Sequence, residues 1–312
     1  MRHCYLLLLV FWVASSAASP TLAVAAKNWI HGSRNCAENK DPAIDVLEVS
    51  SSTYILRQNK CIHVEAPFIY VLSGKHTVFV QDTGATESAK KFPIYATIQR
   101  LIDENFVATD SDKLKILVTH SHNHSDHTAG DNQFRGQENV VMVEGELKAI
   151  VEHFNFPRWP AGEAVIDLGD RKLTIIPIPG HQEASVAVYD SQTQWLLTGD
   201  TFYPGRLYVS LWDAYKTSIQ KLVDFADTHP VSALMGTHIE MSDTPGKIFE
   251  FGLDYQPNET ALPLTTDNLN ALNAALIEIG NEPKEVTLDK FMVSPVGRAQ
   301  KAIGKVLGWF LN

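Results

Sequence analysis

The six residues His122-Asn123-His124-Ser125-Asp126-His127 hold three imidazoles and one carboxylate. Imidazole supplies neutral nitrogen ligands and aspartate a charged oxygen, a mixture that suits zinc or another borderline transition metal better than calcium or magnesium. In an extended or turning segment, residues two apart point to the same side. His122 and His124 are therefore placed to grip one ion while Asp126 and His127 face a second. The competing reading, a chance run of surface histidines, gives no account of such density. His120 makes an overlapping pair with His122, but only His122 and His124 keep the spacing to the Asp126-His127 dipeptide, so His120 is expected behind the ligands or at a strand end.

A loop of this kind needs a rigid strand before it and a turn after it. The run Leu114-Lys115-Ile116-Leu117-Val118-Thr119 is short, apolar and β-rich, and Thr128-Ala129-Gly130-Asp131 is turn material. The ligands thus leave the end of a buried strand. Three later dipeptides repeat that placement after apolar runs: Gly180-His181, Gly199-Asp200 and, one residue longer, Gly236-Thr237-His238. Upstream, Val78-Phe79-Val80-Gln81 ends in Asp82-Thr83-Gly84.

A strand followed by HxHxDH and then by separate His, Asp and His motifs resembles the metallo-β-lactamase superfamily, over residues 43 to 245. The resemblance implies an αββα sandwich, an α/β (α+β) fold of two β-sheets flanked by helices. It implies that His122, His124 and His181 hold one metal, that Asp126, His127 and His238 hold another, and that Asp200 bridges them. Two Zn(2+) per subunit follow, with iron as the alternative metal. It also implies that Asp82 and its turn support the metal loop. The implied chemistry is hydrolysis by a hydroxide held between two cations, which lower the pKa of bound water to about 7. Asp126 would orient that hydroxide and carry its proton, and the scissile bond would be an ester, lactone, thioester or related linkage. A mononuclear iron enzyme like the persulfide dioxygenases, using His122, His181 and Asp200, is the alternative, and a β-lactamase another. No cysteine stands at position 200, where some true β-lactamases of the superfamily place a thiolate.

Substrate contacts are expected from the loop after Asp200. Tyr203 and Tyr208 are candidates to donate to an oxyanion, the alternative being packing at the pocket rim. Trp159, Trp212 and Phe156 are read either as pocket wall or as core.

The chain has 312 residues, 45% of them hydrophobic, enough for one catalytic domain with modest extensions. The basic start Met1-Arg2-His3, the apolar run from Cys4 to Ala14 and the small residues up to Ala26 form an export signal, removed after Ala18 or after Ala26. The expected location is secreted or periplasmic. Removal through Ala26 leaves 25 basic and 36 acidic residues, net −11, and two cysteines, Cys36 and Cys61. In an oxidising compartment these are expected to pair, stabilising by about 3 kcal/mol, with two buried free thiols as the alternative. The acidic balance offers no footprint for nucleic acid, so the partner is a small-molecule substrate.

Domain boundaries are read as signal 1–26, catalytic domain 27–255 and a C-terminal helical extension 256–312. Strands are expected at 45–49, 53–56, 68–72, 77–81, 173–178, 185–189, 195–198 and 233–235, and helices at 93–103 and 146–154. A further helix begins with Ser210 as N-cap and Asp213 three residues on, burying Trp212, Tyr215, Ile219, Leu222 and Ala226. In the extension, a helix at 266–279 stops at Gly280. A last amphipathic segment carries Val296, Ala299, Ile303, Val306 and Phe310. It docks on the domain or, less favoured, on a membrane. Of the sequons at Asn123 and Asn258, only Asn258 suits a glycan.

Overall fold

The computed structural model describes residues 19–105 and 114–297. The apolar run of the leader and all but the start of the final amphipathic segment lie outside them. A short helix, α1 (Pro20–Ala25), opens the described chain. The meander β1 (Ile44–Ser50), β2 (Thr53–Gln58), β3 (Phe68–Ser73) and β4 (Thr77–Gln81) then pairs antiparallel in sequence order. After α2 (Ile94–Asn105), the strands β5 (Lys115–Thr119) and β6 (Val140–Met142) add in parallel, with the single turn of α3 (Ser125–Thr128) between them. Helix α4 (Leu147–His153) leads into the second half.

The second sheet repeats the plan. Strands β7 (Ala164–Asp167), β8 (Lys172–Pro177), β9 (Val186–Asp190) and β10 (Trp195–Gly199) form an antiparallel meander. Past β11 (Arg206–Val209) and α5 (Trp212–Thr228), β12 (Ala233–Gly236) adds parallel to β10. A parallel neighbour needs a crossover connection; α2 lies in that between β4 and β5, α3 in that between β5 and β6, and α5 in that between β10 and β12.

Alternation along the strands sorts the apolar side chains into three layers. Phe68, Tyr70 and Leu72 of β3 meet Ile175, Val188, Trp195 and Leu197 of the other sheet in the central layer. Ile69 and Val71 turn outward under Ile94, Ile98 and Leu101 of α2. Leu196 and Leu234 turn outward under Tyr215, Ile219 and Leu222 of α5. Strands covered on both faces read as continuous apolar runs, as β3, β5 and β10 do. The result is the αββα sandwich. Phe156 and Trp159 belong to its central layer and Trp212 packs on the outer one, so all three serve as core.

One polar clamp crosses between the sheets. Arg171, from the β7–β8 turn, donates to both oxygens of Asp190 at 2.8 and 2.6 Å and to the Ser52 carbonyl at 2.7 Å in the β1–β2 turn. The pair is fully buried, and its remaining donors reach Thr53 and Ser73, which is what makes such burial tolerable.

Three expectations are corrected. Helix α5 is capped at Leu211, not Ser210: the Leu211 carbonyl accepts the first helical amide, that of Tyr215, at 2.8 Å, while the amides of Ser210 and Leu211 donate to the Gly180 carbonyl at 3.0 and 2.8 Å. Phe225 rather than Ala226 completes its buried face. The tail after residue 255 is not simply helical. It contributes β13 (Pro263–Leu264) to the edge of the second sheet, and β14 (Val286–Thr287) and β15 (Met292–Pro295) to a small sheet with β11. Its helix α6 (Thr266–Ile279) does bury Leu269, Leu272, Leu276 and Ile279, and it ends at Gly280 with φ 67°. The bidentate pair of Arg57 with Glu259, with one bond at 2.7 Å, ties the tail to β2.

The residues just before Lys27 are also structural. Ser19 caps α1, Val24 is completely buried in the central layer, and Thr21 accepts the Trp195 indole N–H at 3.0 Å. A chain starting at Lys27 should therefore be less stable than one starting at Ser19 by about 2 kcal/mol, the burial of one valine. Denaturant unfolding of the two chains measures the difference.

Candidate metal centre

The centre lies where the crossover strands end. Asp82 follows β4, His120 to His127 follow β5, His181 lies four residues past β8, and Asp200 follows β10 directly. Thr237 and His238 follow β12. Carboxyl ends of parallel strands leave room beside their loops, so each strand delivers its ligand to one edge of the sandwich.

Asp82 sits in the left-handed region at φ 72° and is completely buried. It accepts the Ser121 amide at 2.7 Å, the Ser121 hydroxyl at 2.9 Å and His127 Nδ1 at 2.9 Å. Thr83 then closes the far end of the loop, its amide donating to the His127 carbonyl at 2.8 Å and its hydroxyl to Asp131 at 2.7 Å. Gly199 has φ 53°, and a Cβ there would lie 2.7 Å from Ser121 Cβ, so only glycine lets Asp200 approach the loop. His120 sits behind the ligands, completely buried, with Nε2 3.3 Å from Asp131.

Two groups of donors converge. His122 Nε2, His124 Nδ1 and His181 Nε2 stand 2.9, 3.1 and 3.2 Å from one another. Opposite them, Asp126 lies 3.1 Å from His127 Nε2 and 3.3 Å from His238 Nε2. Asp200 turns Oδ2 toward the first group, 3.8 and 3.6 Å from His122 and His181. Its Oδ1 turns toward the second, 3.5 and 3.3 Å from His127 and His238. Tetrahedral zinc with bonds of about 2.0–2.1 Å separates its ligand atoms by about 3.3–3.4 Å, and these distances bracket that value.

The donors also fit a cation chemically. His127 Nε2 and His238 Nε2 are buried and face the carboxylates of Asp126 and Asp200 at 3.1 to 3.5 Å without a well-formed hydrogen bond, an arrangement that a proton on each ring or a bound cation would balance. Four rings are oriented from behind through Nδ1: His122 by the Ser121 hydroxyl at 3.1 Å, His127 by Asp82, His181 by the Tyr208 carbonyl at 2.8 Å and His238 by the Glu65 carbonyl at 2.9 Å. Such partners fix the tautomer that leaves Nε2 free to ligate. Thr237 donates to Asp200 Oδ1 and fixes that carboxylate. The two groups could each hold a metal ion.

Sequence reasoning missed Ser121, Glu65 and Thr237. Thr237 could have been found by its adjacency to His238, whereas a backbone carbonyl such as that of Glu65 leaves no mark in sequence. Tyr203 is corrected: its hydroxyl is buried and committed to the Arg206 carbonyl and to Glu240 at 3.0 Å, so it is not available to an oxyanion. Burial, then the Glu240 carboxylate, holds that phenol well above its usual range. Tyr208 is half-buried beside the centre, and its backbone carbonyl accepts from a candidate ligand, His181. Asn123 is buried, and Asn258 is exposed at φ 59°. Cys36 and Cys61 are bonded to each other.

Electrostatics separates the two groups. Burial, then the neighbouring His181, pushes His124 down to about 3. Burial, then the His127 and His124 rings, holds His122 well below its ordinary value. These imidazoles are neutral at pH 7, the form a metal needs. For His127 and His238 burial opposes the shift, but the carboxylates of Asp126 and Asp200 outweigh it and hold both well above 6.5. A cation entering the second group must displace those protons, so its affinity falls as pH falls. On acidification from pH 8 to 6, a chelator-competition titration should show second-group affinity dropping by about tenfold or more per unit, with the three-histidine group nearly unchanged.

A family model described as "Metallo-beta-lactamase superfamily" matches residues 64–234. Among curated proteins, the chain is 25% identical to the acyl-coenzyme A thioesterase MBLAC2 of Homo sapiens, over 54% of this chain and 72% of that protein. The Bos taurus protein of the same name matches equally, at 25% over the same shares. Among solved structures, a metallo-beta-lactamase from Erythrobacter litoralis has a TM-score of 0.50 at 11% identity, over 77% of this chain and 99% of that one. That likeness is one of fold.

Proposed function

The chain belongs to the metallo-beta-lactamase superfamily and is a metal-dependent hydrolase, and from that footing we propose an exported enzyme with two zinc ions that cleaves thioesters or related esters. One observation carries the binuclear reading. Asp200 divides its two oxygens between the two groups of donors, a geometry with a use only when both groups hold a cation. A mononuclear iron centre on His122, His181 and Asp200 would leave Asp126, His127 and His238 buried together without a cation to share. The thioester preference is supported by the named activity of the MBLAC2 relatives.

When bound, the two cations would lower the pKa of a water to about 7 and polarise the substrate carbonyl. This chain's residues do the rest. His122, His124 and His181 would hold one ion, Asp126, His127 and His238 the other, and Asp200 would bridge. Asp126 is the most exposed of the seven, with its side chain 17% accessible, so it is the carboxylate able to face substrate. It orients the attacking oxygen and takes up a proton that it returns to the leaving group. Tyr208, half-buried and touching His181 through its carbonyl, would be the candidate to donate to the substrate's carbonyl oxygen.

Purified chain is expected to contain about two zinc ions and to turn over an acyl thioester faster than nitrocefin or a phosphodiester. Asp126→Asn should lower turnover by about 10²–10⁴. About one iron per chain with no hydrolysis overturns the reading.

Export is supported by the composition of the first 26 residues and by the bond between Cys36 and Cys61. The packing of α1 favours removal after Ala18, which keeps Ser19 as its cap and Val24 in the core. The amino terminus of the mature protein should read Ser-Pro-Thr-Leu by Edman degradation. A start at Lys27 would contradict this.

A further inference from the structure

The groups that orient the imidazoles differ in how they are themselves held. Ser121, Asp82 and Tyr208 lie in or within two residues of β5, β4 and β11. Glu65, whose carbonyl holds His238, lies instead in the connection of residues 59–67 between β2 and β3.

Side chains and one covalent bond fix that connection. Asn59 donates to Asn39 at 3.1 Å and to the Pro42 carbonyl at 3.0 Å, and it accepts the Cys61 amide at 2.8 Å. Its carbonyl accepts the amides of Ile62 and His63. Lys60, buried, donates to the Val64 carbonyl at 2.7 Å across the loop, and the Ala66 amide closes the turn onto the His63 carbonyl. Cys61 is bonded to Cys36, in a stretch without a regular element that is moored at Gly32 and Ser33 to Tyr255 and Asp254. The Cys36–Cys61 bond and the His238 anchor are thus four residues apart on one short loop. Both sulfurs belong to half-buried residues, within reach of a reductant.

We propose that the Cys36–Cys61 disulfide is a redox control on the second metal position, which depends on His238. The inference rests on the binuclear zinc reading above. A dithiol reductant supplies two electrons and two protons; the S–S bond breaks, both cysteines become thiols, and the reductant becomes a disulfide. The loop then loses its covalent tie and keeps only the hydrogen bonds of Asn59, Lys60 and Ala66, so the Glu65 carbonyl holds His238 Nδ1 less firmly and the ring is less well fixed in tautomer and orientation. His122 and His181 keep their anchors at Ser121 and Tyr208, so the ion of the first group stays. The second ion is retained fully only in an oxidising compartment, and the centre completes itself after export.

The test compares full-length mature wild type with the Cys36→Ser/Cys61→Ser variant by zinc titration against a chromophoric chelator, at fixed pH. Circular dichroism confirms that both are folded at the working temperature. The expected result is a second zinc bound at least about tenfold more weakly in the variant, the usual effect of losing a group behind a ligand, with the first zinc unchanged. Lys60→Met, which releases the loop while leaving the disulfide intact, should weaken the same zinc and carries the test if the double variant does not fold. Equal affinities for the second zinc, or equal weakening of both, overturn the inference while leaving the hydrolase reading standing. Wild type that binds no zinc overturns both.

Discussion

The metal edge of this molecule depends on one buried carboxylate. Asp82 accepts hydrogen bonds from the first residue beyond His120 and from His127, and so clamps both ends of the loop that presents His122, His124 and Asp126. Charge-assisted bonds of this kind are about twice as strong as neutral ones, and burial strengthens them further. The clamp works because the two crossover strands β4 and β5 lie side by side and end level, with Gln81 paired to Thr119. A shift of that register by one residue would turn Asp82 away from the loop and reverse the facing of Val78 and Val80. The packing of α2 on the sheet and the geometry of the ligands are therefore two readings of the same register.

The opposite wall follows the same logic with different chemistry. Asp200 and His238 come from β10 and β12, again parallel neighbours joined across a helix. No lysine or arginine is paired with Asp126 or Asp200 among the described residues; imidazoles face them, with the Thr237 hydroxyl on Asp200. The arrangement is balanced only by protons or by metal ions, which is why the second group competes for both. Tight apolar packing in the central layer supplies the rigidity that keeps these opposed groups from relaxing apart.

Much of this was legible in the chain. The strands that are apolar throughout, the helix of residues 266–279 with its glycine stop, and the cluster at 122–127 each carry a local signal: period, terminator, density. What escaped depends on partners far away in sequence. The start of α5 looked like a serine cap because Ser210 has the right side chain, yet Ser210 and Leu211 are tied by their amides to the Gly180 carbonyl, thirty residues earlier, and the helix starts one residue later. Tyr203 looked free to serve a substrate, and only Glu240 on the next strand's loop shows that its hydroxyl is already committed. The two-residue strands β13 and β14 are too short to show any period. Helix α1 hides in a stretch whose small residues suit a leader equally well. Backbone groups such as the Glu65 carbonyl are carried by every residue alike, so no residue type announces them.

The short strand β13 has a consequence for the life of the protein in a crowded medium. Without it, β12 would present its outer row of backbone donors and acceptors to solvent, a template on which another chain can add. With it, the border of the sheet is two residues long and contains Pro263, which has no amide to offer. The tail thereby acts as a guard against self-association. Chains shortened before residue 263 would retain the full set of candidate ligands but uncover both the outer edge of β12 and the face of α5 that α6 covers, so the tail belongs to the folded unit although it carries none of its chemistry.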